Sequence, residues 1–387
     1  MASKIRDIWV WLALALATAC SSDSPSSGEA PMLGAGSGSV AGTAAAGSTG
    51  SAAGSAGVAA DSGGAAGSQA GASGGASGAS GAAGQPAQPQ AGAPAAGAAG
   101  GMQEPPPATC NAADMLPEAK QVPLDSITGS SNSSPIVPAK GPLMPVIESD
   151  PGLATHTVYR PMTLENKKYP IVVWANGGCV KNGTMFARFL LEIASHGFVI
   201  VAEGKPNGTG MGPLETNGVP QTQAMDWIIQ EADRPCSKYY RRLDTTKIAA
   251  MGQSCGGLMT LGASGDKRLS TVVIWNSGMF ERDQKIYMGL HTPIAYFIGG
   301  PDDVAYPQAE ADFEAITTVP LFYGNTPVGH SATYAQDNGG EFAQVGISWL
   351  KWQLYGDTTA SAGGMFTGAD CGLCKNSKWT VKKKNMD

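Results

Sequence analysis

The chain has 387 residues, a formal net charge of -6 and only 14% charged side chains. That mild acidity excludes a dedicated nucleic-acid binder, which needs a basic surface. The length suits two or three domains, but the first 108 residues differ so sharply in composition that they stand apart from any folded region.

Lys4 and Arg6 precede an apolar run from Ile8 to Ala19. A bilayer span takes about 20 apolar residues, so the run is too short to cross one. It ends in small residues, and 1–19 reads as a signal peptide. Cys20 follows at once, and "ATAC" resembles the lipobox of bacterial lipoproteins, in which the cysteine is lipidated after cleavage. Ala17 stands where that motif usually has Leu, and ordinary signal-peptide cleavage would cut the same bond. Two extracytoplasmic destinations follow: a cell-surface or outer-membrane lipoprotein held only by lipid on Cys20, or a secreted protein. Residues 20–108 are almost entirely Gly, Ala, Ser, Gln and Pro. Such a segment cannot bury enough apolar surface to offset its ordering entropy and reads as a disordered linker. The folded domain is expected over 109–387, with a core at about 141–355 and a cysteine-containing tail at 356–387.

Besides Cys20 there are six cysteines: Cys110, Cys179, Cys236, Cys255, Cys371 and Cys374. In an oxidising compartment they suggest up to three disulfides, in any of 15 pairings. Cys371-Gly-Leu-Cys374 lacks the second cysteine or histidine pair of a zinc site, so a local disulfide or separate bridges are expected rather than a metal, and nothing in the sequence implies an organic cofactor.

Hydrophobic patterning begins near Pro142. "THTVYRP" (155–161) alternates like an edge strand. "YPIVVWA" (169–175) and "GFVIVAE" (197–203) are apolar runs of strands buried on both faces. Between them "TMFARFLLEIASH" (184–196) has helical spacing. A helix at 220–232, a strand at 247–252 and a helix to about Ala263 follow. Further strands are expected at 269–276, 293–300 and 319–324, with helices near 308–315 and 340–355. Strands alternating with helices predict an α/β fold with a mostly parallel sheet covered on both faces. The lysine-rich end, "KWTVKKKNMD", reads as a solvated terminus, and a monomer is expected.

"MGQSCGG" places Gly252-Gln253-Ser254-Cys255-Gly256 between a predicted strand and a predicted helix, the context that gives a GxSxG pattern meaning. The serine hydroxyl would sit above the sheet at a helix N-terminus, where partial positive charge favours an anion. A nucleophilic serine needs a base, and in this strand–turn–helix arrangement the acid and the histidine come later in the chain. His156 and His196 come too early, and His291 precedes its strand, which leaves His330 in "TPVGHSATY". The loop after the 293–300 strand is "GGPDDVAYP", in which Asp302 and Asp303 both qualify as the acid. An oxyanion hole would take one N–H from Cys255 and a second from "NGGCVKNG", where Gly178 is the candidate. If both assignments hold, Cys179 and Cys255 flank the two donors, and a Cys179–Cys255 disulfide would staple them together.

Together these residues resemble the α/β-hydrolase superfamily, and within it the cutinase-like polyester hydrolases and their dienelactone-hydrolase relatives. The resemblance covers about Gly141 to Tyr355 and rests on "VVWANGGCVKNG…EIASHGFVIVAEG", "MGQSCGG", "GGPDDVAYP" and "GHSATY". It implies the α/β-hydrolase fold and a serine esterase acting on small-molecule or polymeric esters. It also implies that Asp303, in a G-x-x-D-x-x-x-P loop, is the acid, and that Trp275 lines the acyl site. Gly178 stands where those enzymes carry an aromatic residue, and Gln253 stands where an aromatic residue or histidine often precedes the serine. Two alternatives stay open: another acyl hydrolase such as a peptidase, and a non-catalytic surface-binding domain of the same fold. A covering domain after the 269–276 strand would favour the peptidase, and the short Asn276–His291 segment argues for an open site.

Overall fold

The computed structural model describes residues 109–111, 115–127, 135–214 and 216–386. The expected signal peptide, Cys20 and the 20–108 linker lie outside the described residues. Ten strands are described: β1 (Lys120–Gln121), β2 (Pro145–Ser149), β3 (His156–Pro161), β4 (Tyr169–Ala175), β5 (Val199–Glu203), β6 (Leu243–Gln253), β7 (Leu269–Trp275), β8 (Ile294–Ile298), β9 (Leu321–Asn325) and β10 (Thr380–Lys384). They form one sheet in the order β1-β2-β3-β5-β4-β6-β7-β8-β9-β10. Its centre, β5-β4-β6-β7-β8-β9, is parallel throughout. The edges are antiparallel. The α-helices are α1 (Ala187–Ser195), α2 (Val219–Asp233), α3 (Cys255–Ala263), α4 (Gln284–Gly289), α5 (Tyr306–Ala315), α6 (Gly340–Tyr355) and α7 (Gly372–Lys375).

The period-two rule of strands divides the core into two layers. Val172 and Trp174 of β4 face α1 and α6, together with Phe189, Phe342 and Trp349. Ile171 and Val173 face α2, α3 and α5, together with Met225, Leu261 and Phe313. All seven residues of β4 are buried, which is why its apolar run shows no alternation. Each fully buried Phe, such as Phe189 or Phe297, stabilises the fold by about 1.5–3 kcal/mol.

Three expectations change. The 155–161 segment is not an edge strand: β3 lies between β2 and β5, and all six of its residues are buried. Its polar residues find partners instead of water. Thr157 Oγ1 donates to Gly204 O at 2.8 Å, and the Arg160 guanidinium is paired with Glu148. Residues 356–387 do not simply trail from the core: Phe366, Cys371, Leu373 and Trp379 join the α1/α6 layer. Nor is the lysine-rich end wholly solvated, because β10 pairs with β9. Lys384 lies over the Phe313 ring at 4.6 Å and donates to Phe313 O. Lysines on a sheet edge also discourage pairing with another chain.

Candidate active site

β6 ends at Gln253, Ser254 makes the turn, and α3 begins at Cys255. Ser254 has φ 54° and ψ -116°, a region that costs a non-glycine residue about 1–3 kcal/mol. The surroundings hold it there. Ser254 N–H donates to Trp275 O at 3.0 Å, and Ser277 Oγ donates to Ser254 O at 2.7 Å. Gly256 must be glycine because a Cβ there would lie 2.0 Å from Ala175 O. That close approach presses the start of α3 against the end of β4.

Of the four histidines, only His330 meets the serine. Its Nε2 lies 3.0 Å from Ser254 Oγ, and its Nδ1 lies 2.6 Å from Asp303 Oδ1. A proton on Nδ1, donated to the carboxylate, leaves Nε2 free to accept from the serine hydroxyl. Of the adjacent pair of acids, Asp303 is buried and takes this bond, while Asp302 is exposed. Asp303 also accepts from Asn276 Nδ2 at 2.7 Å, Gly299 N–H at 2.9 Å and Ala305 N–H at 3.0 Å. Burial alone would raise its pKa. The hydrogen bond and charge of His330, with the backbone N–H groups, outweigh burial and hold the carboxyl below its ordinary value. The acid and histidine loops interlock at Gly299, where a Cβ would meet Gly329 O at 1.9 Å. His156 is buried elsewhere with Nε2 at Pro220 O, and burial pushes its pKa down to about 4.

Gly178 lies in the short 3-10 turn Gly177–Cys179 after β4, with φ 61°. Cys179 also has positive φ, 53°. A disulfide joins Cys179 to Cys255 with their Cα atoms 5.3 Å apart. It ties the turn that carries Gly178 to the first residue of α3, and both cysteines are buried. The remaining bridges are Cys110–Cys236 and Cys371–Cys374.

Trp275 needs correction. The expected acyl-site contact is a fully buried ring, stacked on Phe297 at 4.7 Å and edge-on to Phe189. Its side chain belongs to the α1/α6 layer, and only its carbonyl serves the site. The sequence reading missed Asn276, which donates to the Asp303 carboxylate, Tyr334, whose hydroxyl donates to Asn276 Oδ1, and the contact from Gln253 Nε2 to His330 O at 3.2 Å. The available signal was a polar residue directly after the apolar run of β7, because the carboxyl ends of parallel strands are where α/β sheets build sites.

Exposed Phe280, Val304 and Val328 sit on the segments that follow Asn276, Asp303 and β9. Between β7 and β8 the only helix is the six-residue α4. Among the described residues, no group of three or more His, Cys, Asp or Glu side chains is placed to hold a metal ion. No described helix is long and apolar enough to cross a membrane. In comparisons with known proteins, the sequence model of a family described as PETase, PET hydrolase-like, matches residues 137–368, more than half of the chain. No curated protein matches it.

Proposed function

The chain belongs to the PET hydrolase-like family of ester hydrolases on the α/β-hydrolase fold, and from that membership we propose that it is an exported serine carboxylesterase. Ser254 is the nucleophile, His330 the base and then the acid, and Asp303 the residue that orients His330. The observation that carries this reading is the hydrogen-bonded series Asp303–His330–Ser254 at a strained strand-to-helix turn.

Ser254 Oγ attacks the ester carbonyl as its proton passes to His330 Nε2. The imidazolium so formed is stabilised by the ionised Asp303, which is why a carboxyl held below its ordinary pKa suits the task. The N–H groups of Cys255 and Gly178 receive the oxyanion, each worth roughly 10²–10³ in turnover. His330 returns the proton to the leaving alcohol. Water, activated by the same histidine, then releases the acid from the acyl-enzyme.

Exposed Phe280, Val304 and Val328, on the segments that follow Asn276, Asp303 and β9, support an apolar acyl group. The lack of a covering domain between β7 and β8 supports access for bulky or polymeric esters. Gly178 carries no aromatic clamp, which weakens the case for polyesters in particular, so the proposed substrate class is carboxylic esters, small or polymeric. Three disulfides suit an oxidising compartment, and the proposal places the domain outside the cytoplasm, tethered by lipid on Cys20. The test is hydrolysis of short-chain nitrophenyl esters by wild type and Ser254→Ala. The proposal expects activity in the first and none above background in the second; full activity in Ser254→Ala would end it.

A further inference from the structure

Asn276, the residue after β7, is fully buried and has φ 43°, an uncommon conformation for any residue with a side chain. Its backbone N–H donates to Phe297 O at 2.9 Å, which anchors it on β8. Its side chain uses both polar atoms on the site. Nδ2 donates to Asp303 Oδ2 at 2.7 Å and approaches Gly329 O, beside His330, at 3.3 Å. Oδ1 accepts the hydroxyl of Tyr334, whose buried ring packs edge-on against Phe186, Phe189 and Phe342. The residue before it, Trp275, accepts the N–H of Ser254. One strand end therefore touches the segments that carry the serine, the acid and the histidine.

Building on the proposed triad, we propose that Asn276, held by Tyr334, is a positioning residue that fixes the Asp303 carboxylate in the rotamer His330 requires. A carboxylate can swing about its χ angles. Here Oδ1 is given to His330 and the Ala305 N–H, and Oδ2 to Asn276 and the Gly299 N–H. Asn276 is the only side chain among those three supporting donors, and Tyr334 fixes which end of its amide points at the acid. Without it, Oδ2 would keep one donor and the acid could rotate away from Nδ1.

The test is steady-state hydrolysis of a nitrophenyl ester across pH by Asn276→Ala, Asn276→Asp and Tyr334→Phe, with Ser254→Ala alongside. The titratable groups facing Asp303 are His330, Tyr334 and Tyr323. Asn276→Ala should lower kcat roughly ten- to a hundredfold, less than the ~10⁴-fold cost of disabling the acid itself, with KM changed less than about twofold, since no substrate contact is lost. Tyr334→Phe keeps the buried ring and should lower kcat in the same direction by less. Asn276→Asp puts a second carboxyl against Asp303. While it holds a proton it donates as the amide did, and once ionised it repels the acid. Its activity relative to wild type should therefore fall as pH rises, whereas the Asn276→Ala ratio stays flat. Wild-type kcat in Asn276→Ala, or in Tyr334→Phe should the alanine variant not fold, overturns the inference, as does a flat Asn276→Asp ratio. If Ser254→Ala is itself active, the triad reading fails; if it is inactive and the Asn276 variants are normal, only the positioning role fails.

Discussion

Removing the Cys179–Cys255 bridge by the double change Cys179→Ala, Cys255→Ala should damage stability and turnover separately. The bridge spans a sequence separation of 76 residues, and the chain-entropy model then gives about 4.5 kcal/mol of stabilisation. Denaturant unfolding of the oxidised wild type and the variant measures that part, and a loss of about 2–4.5 kcal/mol is expected, since real bridges often deliver less than the model. The second part concerns the proposed oxyanion hole of Cys255 and Gly178. The bridge holds the Gly177–Cys179 turn against the start of α3, with the Cα atoms 5.3 Å apart. If the turn relaxes, one oxyanion donor is misplaced, which costs up to roughly 10²–10³ in kcat. KM for a short nitrophenyl ester should move little, because the ground-state carbonyl gains less from the hole than the oxyanion does. Kinetics are to be read well below the variant's unfolding midpoint, so that loss of folded enzyme does not masquerade as loss of kcat. A destabilised variant with wild-type kcat would refute the link between the bridge and the oxyanion hole.

Asp303→Asn should lower turnover by roughly 10⁴-fold, as the equivalent change does in a serine protease, whereas exposed Asp302→Asn should leave it near wild type; the reverse pattern in nitrophenyl-ester kinetics would move the acid to Asp302. Buried Asp312 accepts from Tyr287, Tyr296 and the Met279 N–H, yet burial raises its pKa from 3.8 to about 6. The folded state thus holds a proton that the unfolded state has released, so this group's contribution to stability is greatest below about pH 4 and declines by about 3 kcal/mol as pH rises through 6. Asp312→Asn should remove that decline, and parallel wild-type and variant stability curves between pH 4 and 7 would contradict it. Cys20→Ala should move the protein from the membrane fraction to the soluble exported fraction; unchanged membrane association would exclude the lipid anchor.

The parallel centre of the sheet was legible because strands buried on both faces leave unbroken apolar runs, as in β4 and β8. The elbow was legible because strained turns admit few residues, and Gly256 shows why. The rest depended on partners that a pattern does not show. β3 reads as half-exposed because His156, Thr157 and Arg160 are polar, but each is satisfied inside the protein. β10 reads as solvent-facing because its lysines outnumber its apolar residues, yet the ammonium groups of Lys382 and Lys384 lie over the Phe313 and Tyr323 rings. Trp275 and Asn276 are neighbours at the end of β7, and strand alternation turned the expected ligand contact into the core and the overlooked residue toward the acid. Asp302 and Asp303 are chemically identical: the loop pattern of the resemblance pointed to Asp303, and burial, His330 and the donors from Gly299, Ala305 and Asn276 give the physical reason.

The most direct test of the account is labelling of the purified enzyme with a fluorophosphonate, read by mass spectrometry of the intact protein and its peptides. The account predicts a single adduct, on Ser254, that forms in wild type, is absent in Ser254→Ala and forms far more slowly in His330→Ala. No adduct on folded wild-type protein, or an equal adduct in Ser254→Ala, would contradict it.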